Sequence, residues 1–297
     1  MSTAVATPVA RTAVLAGIGL MTAGIFLFSL NDAMGKWLVA TYSVGQVLLL
    51  RSFAALVVLA FLLRGEGLSG FRAAPRPGLQ VVRVVLSTLE VACFYWAVAY
   101  MPLADVMTYY LAGPLYVAAL AALLLKERID RVQLLCVGGG FLGVLVALNP
   151  SGAALTWPAF VALAGSLFFA LLMVTTRLLR GTGDTVLVTG QTLGALLLGL
   201  VLAPFAWVPP TGVDFLLLSL LGIVAMGAHM CVNRALKLAP ASTVVPFQYT
   251  LIVWAVVLGY LVFGDVPKGH VLVGAAIIIG AGLVLLWHER MQRAGTA

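Results

Sequence analysis

Charge is what this chain of 297 residues has least of. Lys and Arg number 17 and Asp and Glu 10, so charged residues make up 9% of the sequence, against roughly 25% in an ordinary soluble domain. A water-soluble fold of this length could not cover its surface with so few. Cysteine is scarce too: Cys93, Cys136 and Cys231 all fall inside apolar runs without CxxC spacing, which argues against a disulfide or zinc framework. GxxxxGK[ST], HExxH and GxSxG are absent, so ATP-driven pumping by this chain and the common hydrolase chemistries lose support. GGGFLG at 138–143 matches GxGxxG, but no strand precedes it and it lies within an apolar run, so a dinucleotide site is out of context. The net charge of +7 is not gathered into a basic patch interleaved with aromatics, and no nucleic-acid partner is expected.

What the chain has in excess is apolar length. Hydrophobic residues make up 63%, and runs long enough to cross a bilayer recur from end to end. With Pro, Gly and charged residues as breakers, ten spans are expected, at about 12–38, 44–63, 78–99, 103–125, 132–149, 155–178, 184–206, 213–235, 240–263 and 269–287. The first run is longer than a signal-peptide core and is expected to be retained. Alternate gaps are basic: Arg64, Arg72 and Arg76; Lys126, Arg128 and Arg131; Arg177 and Arg180; Arg234 and Lys237; Arg290 and Arg293. The other gaps hold little positive charge, Lys268 excepted, which by the positive-inside rule places both termini in the cytoplasm.

The chain also repeats itself. Residues 97–148 align without gaps on 235–286, so that Pro102 falls on Pro240, Glu127 on Asp265, Tyr109 on Phe247 and Tyr116 on Trp254, while Arg51 falls near Gln191. Five spans per half is an odd number, so the second copy must enter the membrane inverted. Inverted repeats mark secondary transporters, with the substrate site near the midplane between the halves. The expected fold class is an all-α integral membrane protein of ten helices, in two inverted five-helix repeats at 12–149 and 155–287 around a central cavity.

SLNDAMGKWL at 29–38, Arg51 in QVLLLRS, the P-L-A-x-V…P…L…E run through the fourth span and the five-plus-five topology resemble the EamA type of the drug/metabolite transporter superfamily, over essentially the whole chain. Within it the chain resembles bacterial inner-membrane exporters of amino acids, aromatic ones included. The resemblance implies a basket of helices whose cavity is built mostly by spans 1, 3, 4, 6, 8 and 9, with spans 5 and 10 as scaffold.

Several polar residues lie inside the spans. Asp32 and Arg51 both sit roughly 10 Å below the outer surface by helical rise and are read chiefly as a structural ion pair. Lys36, one turn beyond Asp32, either snorkels to the interface or draws a substrate carboxylate into an outer vestibule. Glu90 lies near the bilayer midplane, where an unpaired carboxylate is costly, and Ser87 and Phe94 share its face. His229 and Asn233 form a polar stripe in the inner part of span 8, while Gln191 and Gln248 are either interhelical glue or substrate contacts. Tyr109, Tyr110, Phe247 and Tyr249 stand beside Pro114 and Pro246, which are expected to bend their helices. Gly139 and Gly143 form a small-xxx-small face, echoed by Ala276 and Gly280.

These residues point to a transporter, not an enzyme, that exports amino acids or similar small metabolites by alternating access. Its partners would be the small-molecule substrate and the lipid bilayer, its state monomer or homodimer, its place the bacterial inner membrane, with no cofactor or metal. The rivals are an intramembrane enzyme using Glu90 and His229 as acid and base, and a channel.

Overall fold

The computed structural model describes residues 8–66, 74–100, 103–110, 113–120, 124, 130–148, 157–263 and 269–294. All regular structure there is helical: α1 (Pro8–Val39), α2 (Val44–Glu66), α3 (Pro77–Tyr100), α4 (Leu103–Tyr110), α5 (Gly113–Leu120), α6 (Arg131–Leu148), α7 (Trp157–Leu178), α8 (Asp184–Leu202), α9 (Gly212–Leu238), α10 (Ala241–Val244), α11 (Thr250–Phe263) and α12 (Gly269–Ala294), with 3-10 turns at Ala203–Ala206 and Val245–Tyr249. Among the described residues six helices are long and apolar enough to cross a membrane: α1, α2, α3, α7, α8 with its 3-10 extension, and α9. A shorter apolar helical stretch runs over Leu272–Leu285. Large apolar side chains crowd the outer surface, Phe205 at 84%, Leu216 at 67% and Phe61 at 62% exposure, as suits a bundle surrounded by lipid.

The expected boundaries differ from the observed ones mainly at α1, which starts at Pro8, and α12, which runs to Ala294. The expected span 240–263 is not one regular helix. Pro246 has no N–H to give the carbonyl one turn earlier, and Val245–Tyr249 tightens into a 3-10 turn between α10 and α11. Pro114 falls in α5 and its side chain lies outside the described residues, as do Glu127, Asp265, Arg72, Lys126, Arg128 and Lys268.

Pairing is orderly. α1 packs chiefly on α9, α3 on α7, α2 on α8, and α6 on α12. Glycine permits the closest crossings: a Cβ on Gly199 of α8 would lie 2.5 Å from the Leu49 nitrogen of α2, and one on Gly45 would lie 2.6 Å from the Leu202 carbonyl carbon. Gly143 of α6 abuts the Gly274 carbonyl of α12, where a Cβ would be 2.9 Å away, whereas Gly280 faces nothing within 4 Å.

Polar side chains tie the two ends. At one end the Tyr42 hydroxyl donates to Asp214 Oδ2 at 2.6 Å, and Gln46 exchanges hydrogen bonds of 2.6 and 3.0 Å with the backbone of Val208. At the other, Lys237 pairs with Asp184 Oδ1 at 2.5 Å and donates to the Thr182 carbonyl, Gln80 donates to the Thr182 hydroxyl at 2.8 Å, and Arg177 donates to the Leu236 carbonyl at 2.7 Å.

Asp130 caps α6, its Oδ1 accepting from the Val132 and Gln133 amides, and its Oδ2 meets His288 Nε2 of α12. The bond from His288, then the amide bonds, hold its carboxyl below the ordinary carboxylate value. A depressed folded value means that the stabilisation is complete above the unfolded carboxylate range and is lost as pH falls through the folded value. Asp130→Ala is therefore expected to cost about 1 kcal/mol at neutral pH, a typical cap. Thermal melts of parent and variant should converge as the pH is taken down past the carboxylate range.

Candidate functional site

A cavity of about 80 Å³ lies inside the bundle. α1 contributes Phe28, Asn31 and Asp32, α2 Arg51, α3 Glu90, Phe94 and Tyr95, α4 Tyr110, α7 Phe169, α9 His229, and the 3-10 turn Gln248. These are the helices that the family resemblance implied, with Arg51 of α2 added. Glu90, Phe94, Tyr110, His229, Gln248, Asp32 and Arg51 are thus brought together.

One wall is aromatic. Phe94 meets Tyr95 and Tyr110 edge to face, with centroids 5.5 and 5.3 Å apart, and Phe28 meets the His229 ring at 4.9 Å. Such T-shaped contacts match the ring quadrupoles. The Tyr110 hydroxyl donates to the Glu90 carbonyl at 3.2 Å and rests on Gly165, where a Cβ would come within 2.2 Å of it.

The charged groups are arranged otherwise than as an Asp32–Arg51 ion pair. Arg51 Nη1 donates to the Tyr95 hydroxyl at 2.6 Å, and its guanidinium carbon lies 5.4 Å from the centre of that ring. Tyr95 in turn donates to Asn31 Oδ1 at 3.4 Å, and Asn31 Nδ2 donates to the Leu221 carbonyl of α9 at 2.9 Å. Arg51 acts on Asp32 and Glu90 through space, and no ion pair among the described residues joins it to either. The reason is lateral: α3 brings the fully buried Tyr95 directly to the guanidinium. Gln248, 4% exposed, has an Nε2 without a protein partner among the described residues.

A second chamber of about 30 Å³ shares Arg51, Val91 and His229 with the first and is also lined by Ser52, Ser87, Gln191 and Thr192. This is where Gln191 falls. The remaining candidates lie elsewhere. Lys36 is exposed near the end of α1, Tyr109 is half-buried beside the core, Phe247 and Tyr249 are buried in apolar clusters, and Asn233 belongs to a different polar group.

That group centres on Arg83, which the sequence reading missed. Only 1% exposed, Arg83 donates from Nε to Thr176 Oγ1 of α7 at 2.8 Å, from Nη1 to the Leu187 carbonyl of α8 at 2.9 Å, and from Nη2 to Asn233 Oδ1 of α9 at 3.0 Å. A signal existed: Arg83, Ser87 and Glu90 are four and three residues apart, one polar stripe on α3.

A lipid-facing helical bundle around a mostly apolar, aromatic-walled cavity into which a few charged and polar side chains reach is the architecture of a multi-pass membrane protein. The sequence profile described as the EamA-like transporter family matches twice, at residues 15–149 and 156–287, and the chain belongs to that family. Family membership marks a transporter rather than an enzyme. It is 29% identical to a riboflavin transporter of Rhizobium johnstonii over 93% of this chain and 92% of that one, and 28% identical to the pseudopaline exporter CntI of Pseudomonas aeruginosa over 91% and 95%. It is 23% identical to an S-adenosylmethionine uptake transporter of Rickettsia felis over 93% and 94%. One solved crystal structure, 19% identical, superposes with a TM-score of 0.80 over 95% of this chain and 99% of that one, a likeness of fold alone.

Proposed function

We propose that this protein is a secondary transporter that exports small amphipathic metabolites, amino acids among them, across the bacterial inner membrane by alternating access, with both termini cytoplasmic. In this reading residues 12–149 and 155–287 are inverted repeats of five helices each, and Pro114 and Pro246 let helices bend as the halves rock. The double match of the family profile supports two halves.

The observation that carries the reading is a pair of polar clusters placed on either side of Glu90. On α3, Tyr95 and Arg83 are 12 residues apart, about 18 Å by helical rise, with Glu90 between them. The outer cluster ties α1, α2 and α3 to the backbone of α9 through Asn31, Arg51, Tyr95 and Leu221. The inner one ties α7, α8 and α9 to α3 through Thr176, Leu187, Asn233 and Arg83. Exchanging the halves turns the first set of helices into the second, and the repeat offset of 138 carries Tyr95 onto Asn233. The packing pairs exchange in the same way, α1 on α9 becoming α7 on α3. Opening outward would break the first cluster and opening inward the second. With both made, the cavity stays well below the 300 Å³ or so of an ordinary ligand site.

Lys36 would guide a carboxylate at the outer vestibule, and Glu90 and His229 would meet the substrate amine or a proton. The relatives are named for export and for uptake alike, so export rests on the resemblance to amino-acid exporters. Purified protein in vesicles preloaded with amino acids is expected to give saturable exchange of labelled amino acid. Flux without saturation or counterflow would favour a channel, chemically altered substrate an enzyme, and no flux of any kind would sink the reading. Glu90→Gln should reduce any dependence of exchange on pH; an unchanged dependence removes a proton role for Glu90.

A further inference from the structure

The smaller chamber, between α2, α3, α8 and α9, has a lining that comes in pairs. Arg51 and Gln191, Ser52 and Thr192, and Ala55 and Ala195 stand 140 residues apart, while Ser87 and Ala225, and Val91 and His229, stand 138 apart. The second figure is the offset of the repeat, and the first is its offset in the second span, where Arg51 falls near Gln191. On the two-repeat reading the chamber therefore straddles the axis that relates the halves, and it maps onto itself when they exchange shapes. Depth agrees: Arg51 follows Val44, the first residue of α2, by seven residues, and Gln191 follows Asp184 of α8 by seven, about 10 Å of rise in each case. A pocket so placed persists whichever way the protein opens.

Its chemistry calls for a group that both gives and takes hydrogen bonds. At about 30 Å³ it has room for roughly two waters, or for an arm of similar size on a ligand. No carboxylate lines it among the described residues. Ser52, Ser87 and Gln191 are buried, and among the described residues neither serine hydroxyl has a hydrogen-bond partner and Gln191 Oε1 has none. The hydroxyls and the uncommitted N–H groups of Arg51 are donors, and the Gln191 amide, which turns easily about its last side-chain bond, offers an acceptor. An anion would meet the donors and leave that oxygen unpaired, while an ammonium would stand against the guanidinium. A hydroxyl donates one hydrogen bond and accepts two, and so satisfies both sides.

Arg51, Val91 and His229 border both chambers, so an arm growing from a ligand in the larger cavity has only those side chains to pass. Granting that the larger cavity is the transport site, we propose that the smaller chamber is an annex to it that takes a hydroxyl-bearing arm of the substrate, with Gln191 as acceptor and Ser52 and Ser87 as donors. The ligand class is an alcohol: an apolar or aromatic body against Phe28, Phe94 and Phe169, and a short arm that ends in a hydroxyl. Gln191 sets this specificity, and the small Ala55 and Ala195 leave the room for it. The same molecule without its hydroxyl leaves the amide and both serines unpaired, a loss that sites built around a hydroxyl discriminate strongly.

Calorimetric binding to the purified full-length protein, with exchange in vesicles read separately, tests this on pairs that differ by one hydroxyl: tyrosine and phenylalanine, threonine and valine, and adenosine and its analogue with a methyl in place of the hydroxymethyl group. In at least one pair the hydroxylated member is expected to bind tenfold or more tighter than its partner. Gln191→Leu is expected to erase that difference while melting no lower than the parent, since the amide oxygen it removes is buried without a partner. Ala195→Val, which adds two methyl groups to the chamber wall, is expected to erase it by filling the space. Equal binding within every pair would overturn the proposal and leave the chamber a pocket for water, and a hydroxyl preference that persists in both variants or no binding in any pair would overturn it too. Exchange of these compounds without hydroxyl preference leaves the transport reading standing while the annex falls; hydroxyl-dependent binding without exchange supports the annex and sinks the transport reading.

Discussion

Arg83→Met is expected to reduce vesicle exchange by at least tenfold while melting near the parent, and Asn233→Leu to be the less stable of the two. Arg83 is only 1% exposed and is held by neutral acceptors, while the carboxylate that acts on it through space is Asp184, itself paired with Lys237. Removing a buried charge also removes the cost of desolvating it, so an apolar side chain of similar shape is often nearly neutral. Of the groups left behind, Thr176 Oγ1 still donates to the Leu172 carbonyl at 2.7 Å and the Leu187 carbonyl lies within regular helix, so Asn233 Oδ1 alone loses its donor, at a cost of about 1 kcal/mol for one neutral acceptor. Asn233→Leu does the opposite. It keeps the charge and takes away an acceptor, which costs about 2–3 kcal/mol for a hydrogen bond to a charged group. Both variants unfasten α3 from α9, and exchange should fail in both because the inner side no longer closes firmly. If Arg83→Met unfolds the protein while Asn233→Leu melts as the parent, the cluster is fold glue and the gate is wrong.

The bundle was legible in the sequence for a simple reason: apolar length and interrupting Pro, Gly and charge are local properties. The start of α2 at Val44 and the ends of α6 and α7 are found within a residue of expectation. The site was legible in part. A midplane acid such as Glu90 announces itself by cost, and it lines the cavity. Level along the bilayer normal could be counted for Asp32 and Arg51, but which helix stands beside which could not, and Tyr95 of α3 takes the guanidinium. Arg83 was missed because basic residues were sought in the gaps, and it lies six residues past the start of α3. Around Pro246 the error was one of period. A 3-10 turn carries three residues per turn, so Gln248 reaches the cavity while Phe247 and Tyr249 enter apolar clusters on either side.

Gly222→Ala is expected to be among the most damaging single-methyl changes in the chain. A Cβ there would lie 1.8 Å from the Arg51 carbonyl oxygen, 2.6 Å from its carbonyl carbon and 2.9 Å from its Cα. All three are backbone atoms of α2, so no side chain can swing aside, and α2 and α9 must separate by more than 1 Å to reach ordinary contact. Small residues at such crossings exist to let helix backbones approach. Overpacking of this kind costs about 3 kcal/mol, and it falls on the residue whose guanidinium holds Tyr95 at 2.6 Å. Stability and transport should therefore fail together, in contrast to Arg83→Met, where they part. Gly280→Ala and Gly282→Ala are the controls, since a Cβ at either meets nothing within 4 Å. Thermal melts in detergent and exchange in vesicles for the three variants decide it: Gly222→Ala melting as high as Gly280→Ala would mean that α2 and α9 can slide apart freely, and the outer cluster of Arg51, Tyr95 and Asn31 could not then act as a seal.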